Sequence, residues 1–88
     1  MTISQLRYTI EVEKHRNFVA AADACFVTQP ALSMQIKKLE EYLNVQIFDR
    51  SYSPVKITSL GMEIIEQAKI TLKEFQQINN IVQHQSGN

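Results

Sequence analysis

The chain has 88 residues, 44% of them hydrophobic and 20% charged, with a formal net charge of zero. That is one small domain, near the size at which a single core just supports a fold. Neutrality argues against a nonspecific nucleic-acid coat protein, yet it leaves room for a local basic patch, because fields act locally.

The N-terminus, MTISQLRYTI, lacks the basic region and long apolar core of a signal peptide. No apolar run approaches the roughly 20 residues of a membrane span, so the cytoplasm is the expected compartment and no membrane association is expected. Thr2 or Ser4 can cap a first helix that runs to about Lys14, with Ile3, Leu6 and Ile10 on one face and Tyr8 and Val12 beside it. His15, Arg16 and Asn17 break that pattern, and Asn17 is a plausible next N-cap. Phe18 to Cys25, FVAAADAC, reads as a short second helix whose alanines let another helix approach closely.

After Phe26 and Val27 comes the stretch 28–44, TQPALSMQIKKLEEYLN. Leu32, Ile36, Leu39 and Leu43 line one face of an amphipathic helix. Thr28 can accept an orphan backbone N–H at its start, and Pro30 falls in the first turn, where a missing N–H costs nothing. At about 100° per residue, Pro30, Met34, Lys37, Lys38 and Glu41 point away from the apolar stripe. Gln29, Ser33 and Gln35 flank it, and no acidic residue lies between Asp23 and Glu40. The outward face is therefore short, polar and mildly basic. Two helices joined by so tight a turn form a helix-turn-helix whose second helix can enter a groove. The spacing alone does not separate that reading from any compact helical hairpin.

Beyond Asn44 the period changes. Val45 and Ile47 alternate, as do Val55 and Ile57, on either side of Ser51-Tyr52-Ser53-Pro54. This predicts a short β-hairpin over 46–57 with Arg50 and Lys56 near its tip and return strand. Taken alone, those two cations could be ordinary solvated charges; beside a helix-turn-helix they have the layout of a wing that grips phosphates. From Thr58 to about His84 the chain reads as one long helix with Ile64, Ile65, Ala68, Leu72, Phe75, Ile78 and Val82 in a wide stripe. Such a helix is roughly 40 Å long, whereas a body of this size spans only about 25 to 30 Å. It should overhang, and its apolar residues then need a partner, most simply the same helix of a second copy about a two-fold axis. The alternative is a helix folded back over the body. Residues 85–88 read as a flexible tail.

Together these residues resemble the N-terminal DNA-binding domain of a LysR-type transcriptional regulator. The matching motifs are LRY at Leu6 to Tyr8, F-x-x-AA at Phe18 to Ala22, QPALS at Gln29 to Ser33, QIKKLEEYL at Gln35 to Leu43, V-x-IFDR at Val45 to Arg50 and T-x-x-G at Thr58 to Gly61. Asn44 stands where a glycine is usual, and asparagine tolerates the left-handed conformation that ends a helix. Met34 stands where an arginine is common. The resemblance implies a mainly α winged helix-turn-helix over 1–58, a three-helix body plus hairpin wing, followed by a dimerising linker helix over 59–84. It implies that Thr28, Gln29, Pro30, Ser33, Met34 and Lys38 face the major groove, and that Arg50, Ser53 and Lys56 hold phosphates around the wing. Gln29 can pair with adenine, Lys38 can donate to guanine or a phosphate, and Met34 is expected to touch thymine methyl groups. The implied partners are double-stranded DNA carrying an interrupted inverted repeat and a second copy of the chain, with a tetramer as an option in full-length members. Those members also carry a C-terminal small-molecule-binding domain, which the resemblance places beyond these residues.

DACFVTQP is similar to the peroxide-responsive branch of the family, whose redox chemistry is expected in cysteines of that C-terminal domain. Cys25 is the only cysteine here; it can form no intrachain disulfide and reads as a small core residue rather than a sensor. His15 and His84 are isolated, so no metal site is expected. Glu40 and Glu41 read as helix-surface charge paired with Lys37 and Lys38, and Glu63 and Glu66 as solvated. No cofactor is implied, and no cluster of catalytic groups supports an enzyme. A protein-interaction module built on the same helices is the competing function; it predicts no salt-dependent DNA affinity.

Overall fold

The structure is a computed structural model and describes residues 1–86. Among the described residues there are four helices and one small antiparallel sheet: α1 (Ile3–His15), α2 (Phe18–Ala24), α3 (Gln29–Leu43), β1 (Phe48–Asp49), β2 (Lys56–Ile57) and α4 (Ser59–Ser86).

Each helix begins where a side chain can accept an orphan N–H. Thr2 caps α1 in a full capping box, accepting from the Gln5 amide while the Gln5 side chain accepts from the Thr2 amide. Asn17 accepts from Ala20 at the start of α2, and Thr28 from Ala31 at the start of α3. Helix α3 ends at Asn44, which takes the left-handed conformation (φ 56°, ψ 43°) expected of a glycine substitute.

The core lies where α1, α2 and α3 meet the root of α4. Leu32, Ile36 and Leu39 of α3 are fully buried, together with Val12 of α1 and Ile65 of α4. Ala21 and Ala22 present the small surface that lets α2 pack against α1 and α3. Ile47, Phe48 and Val55 plug the hairpin into the same core.

The wing is shorter than its alternation suggested. Only Phe48↔Ile57 and Asp49↔Lys56 are paired. Val45 and Ile47 precede the ladder, and residues 50–55 form the turn, in which the Ser53–Pro54 peptide is cis. Thr58 then locks the wing to α4. Its amide donates to the Ile47 carbonyl (2.9 Å), its hydroxyl donates to the Gln46 carbonyl (2.6 Å), and the same oxygen accepts from Gly61 (2.9 Å). A Cβ at Gly61 would lie 2.5 Å from the Ile47 carbonyl oxygen, so only glycine allows this approach. That is the physical content of T-x-x-G.

Helix α4 does not fold back. The molecule measures 51 × 25 × 19 Å, and every residue from 73 to 85 is exposed. The root of α4 is tied to α1 by Lys69, whose ammonium lies 3.2 Å from Glu13 and 3.0 Å from Glu66, so Glu66 is exposed but paired. Two expectations are corrected here. Ile65 and Ala68, expected in a dimer seam, are 0% and 3% exposed and belong to the core of their own chain. Helix α4 also continues through Gln85 and Ser86, where a tail was expected; the rest of that expected tail, residues 87–88, lies outside the described residues.

Candidate nucleic-acid interface

With the stripe of α3 committed to the core, its opposite face is open. Thr28, Gln29, Pro30, Met34, Lys37 and Lys38 are all exposed, and Ser33 is half-buried beside them. Thr28 spends one lone pair of its hydroxyl on the cap, 3.3 Å from the Ala31 amide. Gln35 leaves this set, because its side-chain oxygen accepts from the Gln5 amide group at 3.1 Å and braces α3 against α1. Gln5 itself is buried; besides the capping box, its carbonyl accepts from the Thr9 hydroxyl.

A cleft of about 190 Å³ separates this face from the wing. Its lining combines Gln29 and Ser33 of α3, Arg50, Tyr52, Ser53 and Val55 of the wing, and Arg16, Asn17 and Phe18 from the start of α2. The fold thus brings Gln29, Ser33, Arg50 and Ser53 together across one opening. Met34 and Lys38 sit on the open face of α3 outside the cleft lining, and Lys56 on the return strand of the wing.

Arg50 is not the free cation expected at the wing tip. Its Nη2 lies 3.3 Å from Glu40 Oε1, and its guanidinium carbon lies 4.9 Å from the Phe18 ring centroid. Phe18 in turn meets Phe48 edge-to-face at 5.8 Å. The carboxylate of Glu40 largely offsets the charge that Arg50 brings to the cleft. Glu40 is likewise not paired with Lys37 or Lys38. Its Oε2 accepts from the Ile47 and Phe48 amides at 2.8 and 3.2 Å, so it fastens the start of the wing to α3. Lys37 and Lys38 keep their charge for the open face.

The wing has its own internal arrangement. Asp49 stands opposite Lys56 in the ladder, yet its carboxylate accepts from the Ser51 amide and hydroxyl. Those bonds, aided by Lys56, hold the Asp49 carboxyl below its ordinary range. The Lys56 ammonium lies 3.9 Å from the Tyr52 ring centroid. Neither Tyr52 nor this contact is visible in the hydrophobic pattern, because both depend on how the turn folds.

Phe26 also escaped the sequence reading. It is 94% exposed and adopts a left-handed conformation (φ 58°) in the turn between α2 and α3. That conformation favours glycine or asparagine, and a phenylalanine in the sequence gives no sign of it. Cys25 packs against the core, and burial, with Glu11 nearby, pushes its thiol above the ordinary range. Among the described residues, no group of three or more histidine, cysteine, aspartate or glutamate side chains could hold a metal ion, and no helix is long and apolar enough to cross a membrane.

Comparison with known proteins follows the same outline. Residues 3–62 match the family described as bacterial regulatory helix-turn-helix protein, lysR family. The chain is 39% identical over 85 residues to the DNA-binding transcriptional dual regulator OxyR of Escherichia coli strain K12, covering 97% of the chain and 28% of that protein. Among solved structures it is similar to a full-length OxyR variant from Pseudomonas aeruginosa (TM-score 0.91, 42% identity, 96% of this chain and 28% of that one). It is also similar to the BenM DBD in its catB site 1 DNA complex (TM-score 0.92, 33% identity, 99% and 94%). The chain spans a little over a quarter of the length of the curated relatives it matches. With the motifs, the fold and the family match in agreement, the chain belongs to the LysR family of bacterial regulatory helix-turn-helix proteins.

Proposed function

We propose that the chain binds double-stranded DNA sequence-specifically as a dimer, as the DNA-binding part of a bacterial LysR-type transcription regulator. The observation that carries this reading is the open face of α3, with Gln29, Pro30, Ser33, Met34 and Lys38 beside a wing across one cleft. The sequence that forms most of that face has no acidic residue between Asp23 and Glu40. Gln29 offers an acceptor and a donor to one base edge, and Ser33 can bond in either sense. Lys38, Ser53 and Lys56 reach the backbone, whose phosphates supply most of the affinity. Arg50, paired with Glu40 and set over Phe18, contributes mainly by holding the wing against the helices. Similar chains solved on DNA, the BenM and CbnR complexes, support the same use of the fold.

Pairing runs through the part of α4 beyond the body. Phe75, Ile78 and Val82 are exposed beyond the body, and Ile70 and Ile81 add to that apolar surface. An apolar groove of about 220 Å³ lies at the helix root, lined by Met1, Leu6, Leu43, Ile64 and Ala68. Leu72, half-buried, follows that groove along the helix. Each copy then presents α3 to one half-site in the cytoplasm, where the chromosome lies. The peroxide-responsive relatives suggest a redox-regulated whole protein, in which Cys25 keeps its packing role.

Selection from a random duplex pool tests the reading. The enriched sequence should be an inverted repeat with half-sites about one helical turn apart. Failure to enrich any sequence, with no binding at low salt, would favour a protein-interaction module instead.

A further inference from the structure

The wing holds a pair that neither the family resemblance nor the α3 face accounts for. Lys56 stands directly across the ladder from Asp49 and would ordinarily be neutralised there. Instead the Asp49 carboxylate is turned to Ser51, and the Lys56 ammonium lies 3.9 Å from the Tyr52 ring centroid. An aromatic face attracts a cation but leaves its charge and its N–H donors open on the far side. A carboxylate at the same place would have cancelled the charge. Tyr52 also lines the cleft that Gln29 and Ser33 line, so the pair stands at the edge of the proposed DNA surface.

We propose that Tyr52 is a positioning residue for phosphate binding: its ring holds the Lys56 ammonium up at the wing as a preorganised cation. A free lysine must give up rotamer freedom when it grips a phosphate. Lys56, already confined over the ring, loses less. The Asp49 carboxylate is hydrogen-bonded to Ser51 and does not take the place of the ring as the close partner of Lys56. This inference rests on the DNA-binding reading and adds a named part to it.

The test is a double-mutant cycle on the 88-residue chain, read by fluorescence anisotropy on a labelled mixed-sequence duplex over a salt series. The phosphate term is independent of sequence, so no operator is needed. Lys56→Ala should weaken binding and reduce the slope of log affinity against log salt by about 0.9. Tyr52→Ala should weaken binding about two- to fivefold while Lys56 is present, and should have little further effect in the Lys56→Ala background. Tyr52→Phe keeps the ring and should bind like the wild type. If Tyr52→Phe binds as weakly as Tyr52→Ala, the hydroxyl itself makes the contact and the inference is overturned. An equal loss from Tyr52→Ala in both backgrounds, or no loss in either, overturns it as well. Absence of salt-dependent binding by the wild-type chain would instead remove the DNA-binding reading beneath it.

Discussion

Glu40 joins the reading helix to the wing. One carboxylate oxygen accepts from the Ile47 and Phe48 amides and the other from Arg50, so a single side chain ties the last turns of α3 to the start of the wing. Removing it leaves two part-buried amides and a half-buried guanidinium without their acceptor. Glu40→Ala should therefore cost about 2 kcal/mol of unfolding free energy, measurable by urea denaturation; a loss below about 0.5 kcal/mol, the range of ordinary surface substitutions, would mean that the wing is held by packing alone. Phe26 is the opposite case. Almost wholly exposed and at φ 58°, it has a strained backbone and little contact to lose. Phe26→Asn should stabilise the fold by about 1 kcal/mol, seen as a rise of roughly 4–8 °C in melting temperature. An unchanged or lower melting temperature would show that the phenyl ring contributes more than its exposure suggests. These two residues also show what sequence reading lacks. Glu40 has a lysine three positions before it, which local rules favour as a partner, but its acceptors are used seven to ten residues ahead, in a stretch with no helical period.

At the scale of elements the sequence was far more legible. The four N-caps and the Asn44 stop are local chemistry, and each sits where a polar side chain precedes an apolar repeat. The stripe of α3 and its open face followed from the helical period alone. Helix α4 was legible as a helix but not as two functional halves. Burial within one chain and burial between two chains impose the same period, so Ile65 and Ala68 could not be told from Phe75, Ile78 and Val82. The structure separates them at about residue 73, where the body ends. Opposite outcomes should follow for the two halves. Ile65→Ala should destabilise the folded body by about 2–4 kcal/mol. Ile78→Glu should leave the body folded and shift the chain toward monomer in sedimentation. A monomeric wild-type chain, or an Ile78→Glu variant as dimeric as wild type, would place the seam elsewhere. The wing was legible as a hairpin, but its two-residue strands, its Asp49–Ser51 turn and the Tyr52–Lys56 contact depend on turn geometry that alternation does not encode.

For the whole molecule, a net charge of zero is compatible with binding a polyanion because several carboxylates are paired inside the fold. Glu40 holds Arg50 and the wing amides, and Glu13 and Glu66 hold Lys69, while Lys37, Lys38 and Lys56 remain exposed. The long axis of 51 Å comes from α4, which carries its apolar residues clear of the reading face. Pairing and reading can therefore occupy different surfaces of an 88-residue chain. The most direct measurement is the affinity of the chain for a selected inverted repeat, compared with the same duplex carrying one scrambled half-site, across a salt series. The account predicts tight binding to the intact repeat, a steep fall with salt, and a loss of at least tenfold, about 1.4 kcal/mol, when one half-site is scrambled. Equal affinity for both duplexes would contradict a two-fold reader, and affinity insensitive to salt would contradict binding through phosphates.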